Sequence, residues 1–290
     1  MQYNINIIID AEVRVLHPAA RHPDFAKGTS EPVRKIIYEH PEFSLIRDKL
    51  SAEAHVASMD HSGIHHGLLS GIAWHDRSIL DENNAYVNEC VRQYPDRFRA
   101  LYIADPSNPE QAAQEIADLD ESVFIGVELI PKWQKIHIDD PELQPIFEAV
   151  LKRNLFFKSY TAHITQTLDG DTPYRLLQFL RKNPELKVLI PHMGGLLGIY
   201  GLIPEIRDAM KNAYFITSVS STMPMVKFAA EVNEDNLLFG TDFPFNHCHD
   251  QSTPLQYMFT DEIAFPIRRK ILGETAQALF KFGTEYNNSW

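Results

Sequence analysis

The run Leu238-Phe239-Gly240-Thr241-Asp242-Phe243-Pro244 ends a short apolar segment in a carboxylate and then stops it with a proline. A buried strand that delivers an acid at its C-terminal tip is how parallel barrels place catalytic groups. An Asp before Pro also caps turns, so the run alone leaves both uses open. Polar residues stand at comparable places along the chain. Apolar, β-branched runs at 6–9, 64–70, 99–103, 123–129, 155–160, 187–190, 214–217 and 236–239 read as strands. Asp10, Glu12 and Arg14 lie at the end of the first, Glu128 on the fourth, and Lys158 and Tyr160 on the fifth. His192 follows the sixth, Thr217 and Ser218 end the seventh, and Asp242 follows the eighth. Burying such groups costs several kcal/mol unless they are paired, so fold stability alone does not call for them there.

Amphipathic stretches at 85–93, 108–119, 143–153, 173–182, 204–211 and 224–232 separate the strands and have helical spacing. Several begin with Pro beside acids, as in Asp139-Asp140-Pro141-Glu142 and Asp171-Thr172-Pro173. Strands alternating with helices imply parallel βαβ units. Roughly eight of them predict an α/β fold, a single-domain (β/α)8 TIM barrel over residues 1–290. An open doubly wound sheet is the alternative, and the first strand lacks the Gly-rich phosphate loop that would favour it. Residues 16–49 break the rhythm with prolines and histidines. Placed after the first strand, they are expected to form a lid over the barrel mouth.

The 290 residues are 44% hydrophobic and carry a net charge of −12. That composition supports a full core and excludes a nucleic-acid partner, which needs a basic surface. Cys90 and Cys248 are far apart and fit neither a metal spacing nor a disulfide framework. No run is long enough to span a membrane and no leader pattern opens the chain, so a cytoplasmic location is expected. A small-molecule substrate and a homo-oligomer are the expected partners.

Several of these segments carry a resemblance. Residues 7–14 (Ile-Ile-Ile-Asp-Ala-Glu-Val-Arg) resemble the opening strand of the amidohydrolase-related family of metal-dependent barrel hydrolases and decarboxylases. Met59-Asp60-His61-Ser62-Gly63-Ile64, Tyr94-Pro95-Asp96-Arg97-Phe98 and Gly126-Val127-Glu128-Leu129-Ile130-Pro131 are similar to its next three strand entries. Residues 183–195, ending Pro191-His192-Met193-Gly194-Gly195, and the Asp242 run match best. The order is kept through nearly the whole chain. The likeness extends to aminocarboxymuconate semialdehyde decarboxylase, dihydroxybenzoate decarboxylases and pyrone-dicarboxylate lactonases.

The resemblance implies Asp242 and His192 as catalytic residues. It also exposes departures, because the two histidine positions of the family's first strand hold Glu12 and Arg14, and a strand-five histidine position holds Tyr160. A guanidinium has only donors and stays charged, so it cannot ligate a metal. No tightly bound zinc is therefore expected, and a weak divalent ion on Glu12, Asp242 and Tyr160 is the alternative. Arg14 and Lys158 suit a substrate carboxylate. Tyr160, Glu128, Trp74 and His163 complete the expected substrate contacts, and Trp133 offers a second aromatic wall. Glu12 could instead pair with Arg14 as an internal salt bridge. His65, His66, His247 and His249 are read as structural. The expected function is hydrolysis of a lactone- or amide-type bond in a small carboxylated, cyclic substrate. Non-oxidative decarboxylation and a non-catalytic binding barrel are the alternatives.

Overall fold

The computed structural model describes residues 5–283 apart from 26, 40–41, 161–171 and 219–222. The strands are β1 (Ile9–Arg14), β2 (His66–Ser70), β3 (Phe98–Ile103), β4 (Phe124–Leu129), β5 (Phe156–Ser159), β6 (Lys187–Ile190), β7 (Ala213–Ile216) and β8 (Leu237–Leu238). They pair in parallel and in sequence order as one eight-stranded sheet. The ring is closed by the amide of Ala11 donating to the carbonyl of Phe239 at 2.8 Å and that of Arg14 to Phe243 at 2.9 Å. Helices lie between the strands, so the chain is a (β/α)8 barrel.

Helix boundaries follow the sequence signals. The helix expected over 85–93 starts earlier, as Arg77–Gln93, because the Asp76 carboxylate caps it by accepting the amide of Ile79 at 3.2 Å. Thr172 and Asn108 cap Pro173–Lys182 and Pro109–Ala117 in the same way, each with proline in the first turn. The eighth strand is shorter than the apolar run suggested. The amide of Phe239 leaves the ladder for the carbonyl of Ile271, and that of Gly240 turns to the Thr217 hydroxyl.

The interior is built by the two-residue period of the strands. Ile9, Ala11, Leu68, Leu101, Phe156, Leu189, Ile216 and Leu238 form one apolar layer, and Ala276, Phe280 and Phe282 join it from the C-terminal segment. Gly126 belongs here too, since a Cβ would lie 2.6 Å from the carbonyl oxygen of Phe156. Two residues further along the strands the layer turns polar: Leu68 gives way to Ser70, Gly126 to Glu128, Phe156 to Lys158, and Ile216 to Ser218. On β1 the pairing with β2 shifts between Asp10 and Val13. That irregularity lets Glu12 and Arg14 enter the polar layer although Ile9 and Ala11, of opposite parity, lie in the apolar one.

The segment between β1 and the helix Ala52–Ser62 packs at the strand ends. Leu16, Ala20, Val33, Ile37, Phe43, Ile46 and Leu50 share one cluster with Ile72, Trp74, Ile103 and Ile130, against which Trp133, Tyr160 and Phe245 also pack. Its polar anchor is Glu31, whose carboxylate accepts the amides of His75 and Asp76, each at 3.0 Å.

Candidate active site

The polar layer is a charge cluster supplied, with its hydroxyl partners, by six strand ends. Arg14 donates from Nη2 to Glu128 Oε1 at 2.8 Å and to the Tyr160 hydroxyl at 2.8 Å, and from Nη1 to the Gly71 carbonyl at 2.9 Å. Its Nε lies 3.4 Å from Asp242 Oδ1, and Glu12 Oε1 is 3.6 Å from Nη2. Lys158 Nζ is 2.8 Å from Glu12 Oε1 and 3.3 Å from Glu128 Oε1. The Tyr160 hydroxyl donates to Glu12 Oε1 at 2.6 Å. Ser70 donates to Glu128 and Ser218 to Glu12, so each buried carboxylate also has a hydroxyl donor.

The electrostatics follow from burial and pairing. Burial opposes the charge of Glu128, but Arg14 and Lys158 outweigh it and hold the carboxyl below the ordinary range. Glu12 behaves likewise under Lys158, His192 and Arg14. Burial would also lower Arg14, yet Glu128, Tyr160, Asp242 and Glu12 raise it well above its usual value. Burial lifts the Tyr160 phenol far above its ordinary value, so it stays a neutral donor and acceptor.

Glu12 and Arg14 do pair, at 3.6 Å, but each makes a shorter contact elsewhere, Glu12 with Lys158 and Arg14 with Glu128, both at 2.8 Å. The β4–β5 register sets Glu128 beside Lys158, which is why two cations and two carboxylates interlock.

Asp242 and His192 sit at the edge of this cluster. Asp242 has φ of 56°, a left-handed conformation that Asp tolerates better than most residues. Its Oδ2 is 3.8 Å from His192 Nε2, and its Oδ1 is buried without a hydrogen bond among the described residues. His192 opens a left-handed run with Met193, Gly194, Gly195 and Leu196. Non-glycine residues in that region cost of order 1–3 kcal/mol each and gather at functional sites. The His192 ring meets the Tyr160 ring edge-on at 4.9 Å, and its amide donates to Ser218 Oγ at 3.4 Å.

Trp133 lies over the Arg14 guanidinium with 5.7 Å between carbon and ring centroid. Trp74 is buried in the mouth cluster, edge-on to Phe25 at 5.7 Å, while His163 lies outside the described residues. Asp10 does not join the charge cluster. It accepts from the Thr241 amide at 2.9 Å, the Thr241 hydroxyl at 2.5 Å and Gln251 Nε2 at 2.8 Å, tying β1 to β8, and burial pushes its carboxyl up to about 6. Ser70 and His55 were not singled out from the sequence. Ser70 was discernible as the polar step after Leu68. His55, whose Nε2 donates to the Arg14 carbonyl at 2.7 Å, carries no signal on an otherwise ordinary helix.

A profile described as Amidohydrolase matches residues 48–282, most of the chain. The chain belongs to the amidohydrolase family. Solved structures of similar fold include 5-carboxyvanillate decarboxylase from Novosphingobium aromaticivorans, complexed with manganese and 4-hydroxy-3-methoxy-5-nitrobenzoic acid. It is 20% identical, with a TM-score of 0.77 over 95% of this chain and 96% of that one. 2,6-Dihydroxybenzoate decarboxylase from Rhizobium is 19% identical, with a TM-score of 0.75 over 95% and 98%. A probable 2-pyrone-4,6-dicarboxylic acid hydrolase from Acinetobacter baumannii is 18% identical, with a TM-score of 0.63 over 95% and 99%.

The manganese in the first of these invites a test of fit. A hard divalent cation takes oxygen donors that no other cation occupies. Here Glu12, Glu128 and Asp242 all face the Arg14 guanidinium, and Lys158 bonds two of them. Among the described residues no group of three or more His, Cys, Asp and Glu side chains is arranged to hold a metal. The donor set of this amidohydrolase therefore does not fit a divalent ion beside Arg14.

Proposed function

We propose that this amidohydrolase hydrolyses a lactone- or amide-type bond of a small cyclic substrate, with Asp242 as general base and His192 as its proton-transfer partner. The observation that carries the reading is the pair itself. Asp242 Oδ2 and His192 Nε2 are 3.8 Å apart, whereas Glu12, Arg14, Glu128 and Lys158 are bonded to opposite charges. A water about 2.8 Å from both atoms fits this separation. Asp242 takes one proton as the water oxygen attacks the carbonyl carbon. When the tetrahedral intermediate collapses, the bond to the leaving oxygen or nitrogen breaks, and that atom receives the proton directly or through His192. Arg14 Nε, 3.4 Å from Asp242, supplies positive potential near the developing oxyanion. Trp133 and Tyr160 offer aromatic faces to a planar ring.

Three carboxylates face two cations in the cluster, which leaves one negative charge uncompensated and both cations engaged. The reading therefore favours a substrate whose reacting carbonyl is uncharged. A carboxylate placed at the cations would have to displace Glu12 or Glu128.

Non-oxidative decarboxylation is the second reading, favoured by the decarboxylases among the similar folds. In that reaction the same pair delivers a proton to the ring carbon while the carbon–carbon bond breaks and carbon dioxide leaves. Incubation with a panel of lactones, cyclic amides and hydroxybenzoates in 18O-labelled heavy water separates the two. Hydrolysis puts one 18O into the product acid, whereas decarboxylation puts deuterium on the ring carbon. Ring deuteration without 18O uptake would replace the first reading by the second, and turnover of nothing in the panel would count against both.

A further inference from the structure

We infer that Arg14 is the permanent occupant of this barrel's cation position, so the positive charge at the centre of the site is built into the chain and not recruited from solution. Four oxygen-bearing side chains from four different strand ends converge on one guanidinium. Glu128 and the Tyr160 hydroxyl lie at 2.8 Å, Asp242 at 3.4 Å and Glu12 at 3.6 Å. Such an arrangement is an oxygen cage, the environment that hard cations take. Its occupant is fully buried, with the Gly71 carbonyl at 2.9 Å and the Trp133 face against the remaining sides of the guanidinium.

The second observation is Asp242 Oδ1, which is buried, makes no hydrogen bond among the described residues and is held to Arg14 Nε only as an ion pair at 3.4 Å. A divalent ion near Arg14 would be repelled. The consequence holds whichever bond the enzyme breaks, because it concerns the charge of the cage and not the reaction.

Manganese binding tests this directly. Purified wild-type protein, treated with EDTA and dialysed, is titrated with Mn²⁺ by calorimetry, and its thermal midpoint is followed with Mn²⁺ and with EDTA. No stoichiometric heat and no shift in midpoint are expected. Arg14→Ala empties the cage, and this variant should bind about one equivalent of Mn²⁺ and gain thermal stability from it. Stoichiometric Mn²⁺ binding by the wild type would overturn the inference, whether or not the variant folds. A folded Arg14→Ala protein as indifferent to Mn²⁺ as the wild type would overturn it as well.

Discussion

The amide of Asp242 donates to the carbonyl of Glu12 at 2.8 Å, so the backbone carrying the outer carboxylate of the site hangs on the backbone carrying an inner one. The last strand end is thereby fixed against the first, and Asp242 keeps a left-handed conformation that aims its side chain at His192.

Asp242→Asn tests the chemical role of that side chain. Asn tolerates the left-handed region, so the variant should fold with an unchanged thermal midpoint. It cannot accept a proton, and kcat on a substrate found by screening should fall by about 10²–10⁴-fold with little change in KM. Full activity would return Asp242 to the role of a turn cap.

Arg14→Met should be destabilising in its own right. It leaves Glu128 buried with Lys158 alone, and breaking one member of a buried pair costs about 3–5 kcal/mol. Urea unfolding measures this, and Glu128→Gln on top should restore part of the loss. A change under about 1 kcal/mol would show that the pair carries little of the fold.

The fold and the strand-end placement of Glu128, Lys158 and Ser218 were readable in the sequence because both follow from the period of two. An apolar run that ends in Glu128, Lys158 or Asp242 announces a strand tip wherever it sits. Which tip bonds which was not readable. The partners of Glu12 and Arg14 depend on the β4–β5 register and on the irregularity in β1, and neither leaves a trace in residue order. The same limit explains Asp10. It stands in the same alternation as Glu12, yet Thr241 and Gln251 bind it as a structural tie.

The acid limb of stability should carry the signature of His55. Burial holds its imidazole at about 4, against 6.5 when unfolded, and among the described residues its Nδ1 has no hydrogen-bond partner. Its contribution is complete above pH 6.5 and declines by about 3 kcal/mol as pH falls towards 4, since only the unfolded chain takes up the proton. His66, also lowered to about 4, acts in the same direction. Asp10, raised to about 6, acts in the opposite one, favouring the folded state as pH falls from 6 towards 4. His55→Gln keeps a donor for the Arg14 carbonyl and should flatten urea stability between pH 6.5 and 4. An unchanged slope would show that His55 titrates alike in both states.

Glu31→Ala should loosen the segment between β1 and the helix Ala52–Ser62. The amides of His75 and Asp76, on two exposed residues, lose their acceptor, and a hydrogen bond there is worth about 0.5–1.5 kcal/mol. Hydrogen exchange at these two amides should accelerate while that of β3 and β4 stays unchanged. Equal protection in both proteins would mean that Glu31 does not hold the segment down.

The interlocked pairing of Glu12, Lys158, Arg14 and Glu128 also bears on how this barrel can change over generations. Each of the four is tolerable only in the company of the others, so a substitution at one position alters what is acceptable at the remaining three. Single-site scans will rate every one of them indispensable. Yet replacing Arg14 and Glu128 together by apolar residues of similar volume should cost less than losing either alone. The neighbourhood is therefore inherited as a block, and a homologue with a different residue at one of these positions is expected to differ at its partner too.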